Sequence, residues 1–290
     1  MATVATTTPH ATRPGHAIRT AKPGLFIPSY SLWQREIVRF YRQRARVVGV
    51  IASPLLFWVA FGAGFSHSFS SGNTGASGHA FGYFFPGSIV MIVLFTAIFS
   101  MMSLIQDRNE GFLLTVIASP VSRSAIVLGK VLGGATLAAI QGLIFLCFSP
   151  LAGVHPSFAG LMLAAAVVLL ISFEITALGF TIAWPMDSTQ AFHAIVNLIL
   201  LPLWLLSGAL FPADKASGWL RAIMLANPLT YGVAALRGAL DPESLRNGVD
   251  PAARALHSLP INLAVTVGFC LVTFIASWAV VNRRTHKPAV

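Results

Sequence analysis

Acidic side chains are scarce in this chain. Nine Asp and Glu are spread over 290 positions, and charged residues of both signs make up only 10%, against about 25% in soluble domains. That shortage excludes a water-solvated globular domain; hydrophobic residues reach 56% and the mean hydropathy is +0.75. Two cysteines, Cys147 and Cys270, are too few for a disulfide framework, and both fall in apolar runs where a thiol behaves as a small buried hydrophobe. No Cys or His pair has metal-ligand spacing, so a metal site is not expected. No Gly-x-Ser-x-Gly elbow is present, and no convergent nucleophile, base or metal cluster supports a membrane-embedded enzyme. Gly129-Lys130 has the look of the end of a phosphate-binding loop. Val131, however, stands where Ser or Thr should bind magnesium, and Ser124 where the first Gly should be, so the chain has no expected nucleotide site of its own.

Long apolar runs are what it has in abundance. Charged residues are absent from 47–106, 131–173, 188–213 and 255–282, and a helix needs about 20 apolar residues to cross about 30 Å of hydrocarbon. The first two stretches are each long enough for two spans, divided by the turn-forming segments 66–78 and 149–157. The expected architecture is all-α with six spans, near 47–65, 85–105, 131–149, 158–183, 191–211 and 260–281.

The basic excess, +10 overall, follows this topology. Of 19 Lys and Arg, eight precede the first span, three lie in 106–130 and three follow the last. An even number of spans puts these on one side, which the positive-inside bias makes cytoplasmic. The charge therefore argues against nucleic acid as a partner. Residues 1–28, rich in Thr, Ala and Pro and without a signal-peptide run, are expected to be a disordered cytoplasmic tail. Residues 29–46 read as an amphipathic helix with Ser31 and Gln34 spaced as a capping box. Trp33, Ile37, Phe40, Tyr41 and Arg44 lie on one side of it, with a basic row of Arg35, Arg39, Arg42 and Arg46. Such a helix suits the headgroup layer, with its arginines on lipid phosphates. A six-span domain over 47–282 and a cytoplasmic tail over 283–290 complete the chain.

Three segments carry candidate function. The pattern from Asp107 to Arg123 predicts a helix at the membrane face that starts near Asp107 and stops at Pro120. Phe112, Leu113, Val116 and Ile117 would form a docking stripe, with Asp107 and Glu110 in its first turn. Glu174 sits deep in a span, where an ionised acid costs about 2.5–3.5 kcal/mol. Ser172, Thr176 and Thr181 are its neighbours in sequence, and Gln141 and Asn197 supply amides on other spans. Together Glu174, Gln141 and Asn197 are candidates for a substrate path. After the fifth span come Phe211-Pro212, a short apolar stripe from Trp219, a break at Asn227-Pro228, and a second short helix from Tyr231. Both helices are too short to span, so they lie at the outer interface or re-enter the membrane.

Two blocks resemble the membrane subunits of type-2 ABC exporters, the ABC-2 type permeases, in the drug-resistance and lipo-oligosaccharide branch. The first is Asp107-Arg-Asn-Glu-Gly with Ser119-Pro-Val-Ser-Arg123 and Gly129-Lys130; the second is Ser207-Gly-Ala-Leu-Phe-Pro212 with Asn227-Pro-Leu-Thr-Tyr231 and Arg237. The resemblance implies that Asp107, Arg108, Glu110, Gly111, Phe112, Leu113, Val116, Ser119, Pro120 and Arg123 belong to a helix coupling to a separate ABC ATPase, which binds ATP and Mg. It also implies that Phe211, Pro212, Trp219, Asn227, Pro228 and Tyr231 belong to an outer re-entrant segment. The permease would pair with a second permease subunit, identical or not, among the lipids of a bacterial cytoplasmic (inner) membrane, both termini inside. Asn109, Phe112 and Thr115 depart from the acidic or hydroxyl residues common there. The function so implied is export of an amphipathic, drug-like, lipid-linked or glycan substrate. A proton-coupled secondary transporter using Glu174 is the alternative, though no internal repeat is evident.

Overall fold

The computed structural model describes residues 24–42, 77–210, 216–241 and 258–283, with isolated helical positions between 48 and 60. Almost all of these are helical, and none of the described residues forms a named strand; Gly24 and Val121 make one isolated parallel bridge. The helices are α1 (Phe26–Arg42), α2 (Ser77–Ser100), α3 (Met102–Asn109), α4 (Phe112–Ala118), α5 (Arg123–Leu146), α6 (Phe158–Ala183), α7 (Thr189–Trp204), α8 (Gly218–Ala226), α9 (Pro228–Leu240) and α10 (Leu259–Arg283). Five helical stretches among the described residues are long and apolar enough to cross a membrane: Gly82–Asn109, Arg123–Leu146, Phe158–Ala183, Thr189–Ala209 and Leu259–Arg283. Most of the expected first span, 47–65, lies outside the described residues. Trp58 is described, and its ring lies 5.8 Å from Phe85 and 5.7 Å from Phe145, edge-on to both.

Two boundaries differ from expectation. The third expected span, 131–149, already begins as α5 at Arg123, because the Ser122 hydroxyl accepts from the Ala125 N–H at 3.2 Å and starts the helix there. Lys130 is thereby carried into the helix instead of flanking it. The helix expected over 29–46 starts at Phe26, so Ser31 is interior: its hydroxyl donates to the Ile27 carbonyl at 3.0 Å and caps nothing. Arg44 and Arg46 lie outside the described residues.

Small residues set the helix spacing, as close van der Waals packing must do where lipid removes the hydrophobic drive between helices. A Cβ at Gly142 would stand 2.7 Å from Val93 and 2.8 Å from Val168, so α2, α5 and α6 meet there. Serine and threonine on α6 and α10 satisfy backbone carbonyls; Ser277 donates to Ala177 O at 2.8 Å. Along α5, a Cβ at Gly129 would meet Leu32 Cβ at 2.6 Å, and one at Gly133 would meet Glu36 Cβ at 2.7 Å. This pair of glycines, four residues apart, lets α1 lie directly on α5.

At the far end of the bundle, Pro202 lies inside α7 and the helix loosens into a π turn over Leu205–Ala209, with Gly208 at φ 79. Asn227, between α8 and α9, donates to the Leu203 carbonyl at 2.6 Å, and Gly232 on α9 lies beside Ile171 and Glu174. Glu174 is about 24 Å along α6 from its start at Phe158. The α8–α9 hairpin therefore packs against the middle of α6. Its exposed flank carries Trp219, and the Tyr231 hydroxyl donates to Leu225 O at 2.9 Å. Phe211 and Pro212 lie outside the described residues.

Candidate functional site

The segment expected to be one helix from Asp107 is two. α3 continues the line of α2 to Asn109, and Gly111, at φ 76, turns the chain left-handed before α4 begins at Phe112. The Gly111 N–H donates back to Arg108 O at 3.1 Å, a helix stop that a glycine favours because it has no Cβ to strain. Pro120 ends α4, with Ser119 extended before it. Asp107 thus lies at the end of one helix rather than in the first turn of another.

Asp107 is also fully buried. The Arg35 guanidinium grips it as a fork, Nη1 to Oδ2 and Nη2 to Oδ1, both at 2.7 Å. Arg39 Nη1 donates to Oδ1 at 2.7 Å, and Lys130 Nζ donates to Oδ2. Each carboxylate oxygen accepts two hydrogen bonds, which fills its lone pairs. Lys130 also donates to Glu36 Oε1 at 2.5 Å, and Ser103 Oγ donates to Glu36 Oε2 at 2.6 Å. At the rim, Arg39 Nη2 donates to Gln106 Oε1 at 2.9 Å and stands 3.5 Å from Glu110 Oε1. Three cations and three acids, Glu110 being the exposed one, form a junction with no net charge. The Asp107 hydrogen bonds raise the Arg35 guanidinium above its already high ordinary value.

This junction ties α1, α3 and α5 together just beneath α4. The Arg35 guanidinium carbon lies 3.7 Å from the centroid of the Phe112 ring, extending the tie to α4 through a cation–π contact. Arg35 and Arg39, expected on lipid phosphates, turn inward to these acids. Trp33 donates to Thr136 Oγ1 at 3.1 Å, so that side of α1 also faces the chain. Sequence reasoning missed Glu36 and the burial of Lys130. The available signal was scarcity: in a chain with nine acids, Glu36 is the single acid on an amphipathic helix whose other charges are arginines.

The expected docking stripe is largely turned inward. Leu113 is 4% exposed, and Phe112 and Val116 pack partly buried against the core. The outward face of α4 carries Leu114, 67% exposed, and Ile117, 47% exposed, followed by exposed Ser119 and Pro120. Of the four stripe residues, Phe112, Leu113 and Val116 face the core and Ile117 faces outward. Arg123 is half-buried at the start of α5.

The three substrate-path candidates are not brought together. Gln141 accepts from Thr96 at 2.5 Å between α5 and α2; Asn197 is exposed on α7; Glu174 is fully buried against α9. Both Glu174 carboxyl oxygens are without a hydrogen-bond partner among the described residues. Ser172, Thr176 and Thr181 each donate to a carbonyl of their own helix, at 2.7, 2.6 and 2.9 Å, rather than to Glu174. Arg237, in the second block, is buried over the Tyr83 ring at 4.5 Å and donates to Gly208 O at 3.4 Å.

A bundle of helices long and apolar enough to cross a membrane, with a short helix seated on an ionic junction, defines a multi-pass membrane protein. The sequence pattern of ABC-2 type transporters matches residues 29–240, and the chain belongs to that family of transport subunits, which pair with an ABC ATPase subunit. It is 28% identical over 211 residues to ycf38, named as a transport permease, of Cyanophora paradoxa, covering 72% of each chain. It is 23% identical over 268 residues to Nodulation protein J of Rhizobium leguminosarum bv. trifolii, covering 91% of this chain and 97% of that one. With the daunorubicin resistance ABC transporter permease protein DrrB1 of Streptomyces coeruleorubidus it shares 21% over 208 residues, 71% of this chain and 72% of the other.

Proposed function

We propose that this chain is the permease subunit of an ATP-driven exporter in a bacterial cytoplasmic membrane. It moves an amphipathic, drug-like, lipid-linked or glycan molecule outward while a separate ATPase, with its own ATP and Mg, docks on α4. The observation that carries this reading is the placement of α4: a short helix with exposed Leu114 and Ile117, held from below by the Asp107 junction. A rigid seat of this kind passes displacement to α1, α3 and α5 instead of absorbing it. Nucleotide binding on the partner can bias two arrangements of the spans only by its differential affinity for them. A second permease subunit, identical or not, completes the unit. Asn197, an exposed amide on an apolar span, suits a polar path or an interhelical contact.

A proton-coupled transporter would use Glu174 as its relay, whereas this chain belongs to the ABC-2 type transporters and is similar to an ABC transporter permease protein. ATP-driven export is therefore the better reading. Co-expression with an ATPase encoded in an adjacent reading frame, purification through a tag on this chain and reconstitution in vesicles test it. ATP-dependent transport by the co-purified complex is expected; recovery of this chain alone, with transport driven by a pH gradient, would overturn it.

A further inference from the structure

Arg108 points away from the ionic junction. Its Nη2 donates to the Trp184 carbonyl at 2.5 Å, and its Nη1 donates to the Met186 carbonyl at 2.9 Å and to Asp187 Oδ1 at 3.1 Å. Beside it, Asn109 Nδ2 donates to the Asp187 carbonyl at 3.2 Å. The Arg108 guanidinium carbon also lies 5.4 Å from the centroid of the Trp184 ring. Trp184 closes α6, so its carbonyl is among those a helix end leaves unmatched, and a cation there meets the negative end of the helix dipole.

The turn held in this way leads directly into α7, which begins at Thr189. At its other end α7 carries Leu203, whose carbonyl receives Asn227 of the α8–α9 hairpin, and Trp204, which donates to Gly87 O at 2.9 Å. A single side chain at the end of α3 therefore joins the segment beneath α4 to the span that accepts the Asn227 hydrogen bond. Neighbouring Asp107 holds α1 and α5. Adjacent residues on one helix thus grip two different sets of elements.

We propose that Arg108 is a positioning residue that couples the α3–α4 segment to the α6–α7 turn, so that displacement of α4 moves α7 and, through it, the α8–α9 hairpin. The proposal rests on the reading of α4 as the element on which the ATPase docks. Its grip is chiefly on backbone carbonyls. Asp187 is 82% exposed and contributes little, as exposed ion pairs do. Lysine, a point charge without the planar fork, would keep part of the contact.

The test has two arms in a chain whose Cys147 and Cys270 are replaced by serine. In the first, spin labels at Ile117 and Gln190 report the separation of α4 from α7 in nanodiscs without ATPase. Arg108→Ala should lengthen and broaden the distance distribution, Arg108→Lys should give an intermediate change, and Asp187→Asn should leave it near that of the parent. In the second, the complex with its ATPase is reconstituted in vesicles. Arg108→Ala should retain ATPase recovery while transport per ATP hydrolysed falls about five-fold or more, with partial rescue in Arg108→Lys. An unchanged distance distribution in both Arg108 variants would overturn the tie. A loosened distribution with transport per ATP unchanged would overturn the coupling role and leave a helix cap. Failure of the parent chain to recover the ATPase would overturn the docking reading, and the coupling claim with it, even where the distances respond. If Arg108→Ala yields no protein, Arg108→Lys alone decides both arms.

Discussion

Arg35 and Asp107, 72 residues apart, meet as a fork on a carboxylate, with two hydrogen bonds of 2.7 Å. The bond joins a helix expected to float on lipid to a residue expected to face a partner. It thereby converts two surface features into one internal joint. Because Asp107 is fully buried and its oxygens are saturated, its loss strands Arg35, Arg39 and Lys130 without their shared anion.

Asp107→Asn keeps the shape and removes the charge. It should cost about 3–5 kcal/mol, the range for breaking a buried pair on one side. Thermal unfolding of the purified protein in detergent, followed by loss of monodispersity, should show a clear fall in midpoint. A midpoint equal to that of the parent would show that the junction is not formed in the membrane-extracted protein.

Glu36 and Lys130 allow a sharper measurement, because each contacts the other within 2.5 Å while fully or nearly buried. Glu36→Gln and Lys130→Met should each destabilise, and the double change should cost less than the sum of the two by about 0.5–3 kcal/mol. Strict additivity in a double-mutant cycle would mean that the two charges do not interact.

Gly129→Val tests the seat of α1 on α5. A Cβ there would stand 2.6 Å from Leu32 Cβ and 2.8 Å from the Ser29 carbonyl, so α1 must lift. Overpacking of this kind costs about 1–3 kcal/mol. Trypsin should then cut faster at Arg35 and Arg39, since both lose their partners. An unchanged cleavage rate would show that α1 does not rest on Gly129.

Five long apolar helices were legible because apolar runs bounded by charge leave little else to form, the expected first span lying mostly outside the described residues, and Pro120 marks its stop in the sequence for a covalent reason. What was not legible is which face each helix presents. Helical periodicity grouped Phe112, Leu113, Val116 and Ile117 as one stripe, but burial comes from neighbours far along the chain, so the first three face inward and Ile117 outward. Lys130 read as a charge bordering a span; the Ser122 cap, eight residues earlier, moved the helix start past it. Gly111 lies inside the segment expected to be one helix. Its left-handed turn separates the junction from α4, and the helical pattern running through it hid that break.

Glu174 distinguishes a buried structural acid from a proton relay. Glu174→Gln preserves shape and hydrogen-bonding capacity and removes the titratable proton, so a stable chain with ATP-dependent transport at least partly retained is expected. Glu174→Lys places a longer cation against α9 and Gly232 and should abolish stable expression. Transport driven by a pH gradient without ATP, and abolished by Glu174→Gln, would instead establish proton coupling.

The proposed docking surface is the outward edge of α4. Leu114→Asp with Ile117→Asp changes two exposed side chains, leaves the Asp107 junction intact and touches no span, so insertion and subunit levels should remain near those of the parent. ATPase recovery should fall steeply, since truncating a central apolar anchor typically costs about 2 kcal/mol or more. Leu113→Ala should behave in the opposite way. Leu113 is packed in the core, so its truncation should lower thermal stability by about 2–5 kcal/mol, while whatever protein survives still recovers the ATPase. The two variants thus separate an outward docking edge from an inward packing face in one pull-down and one melting experiment. Parental ATPase recovery by the Leu114 and Ile117 double variant would remove α4 as the docking element, and its burial against lipid would then be the simpler account of the exposed edge.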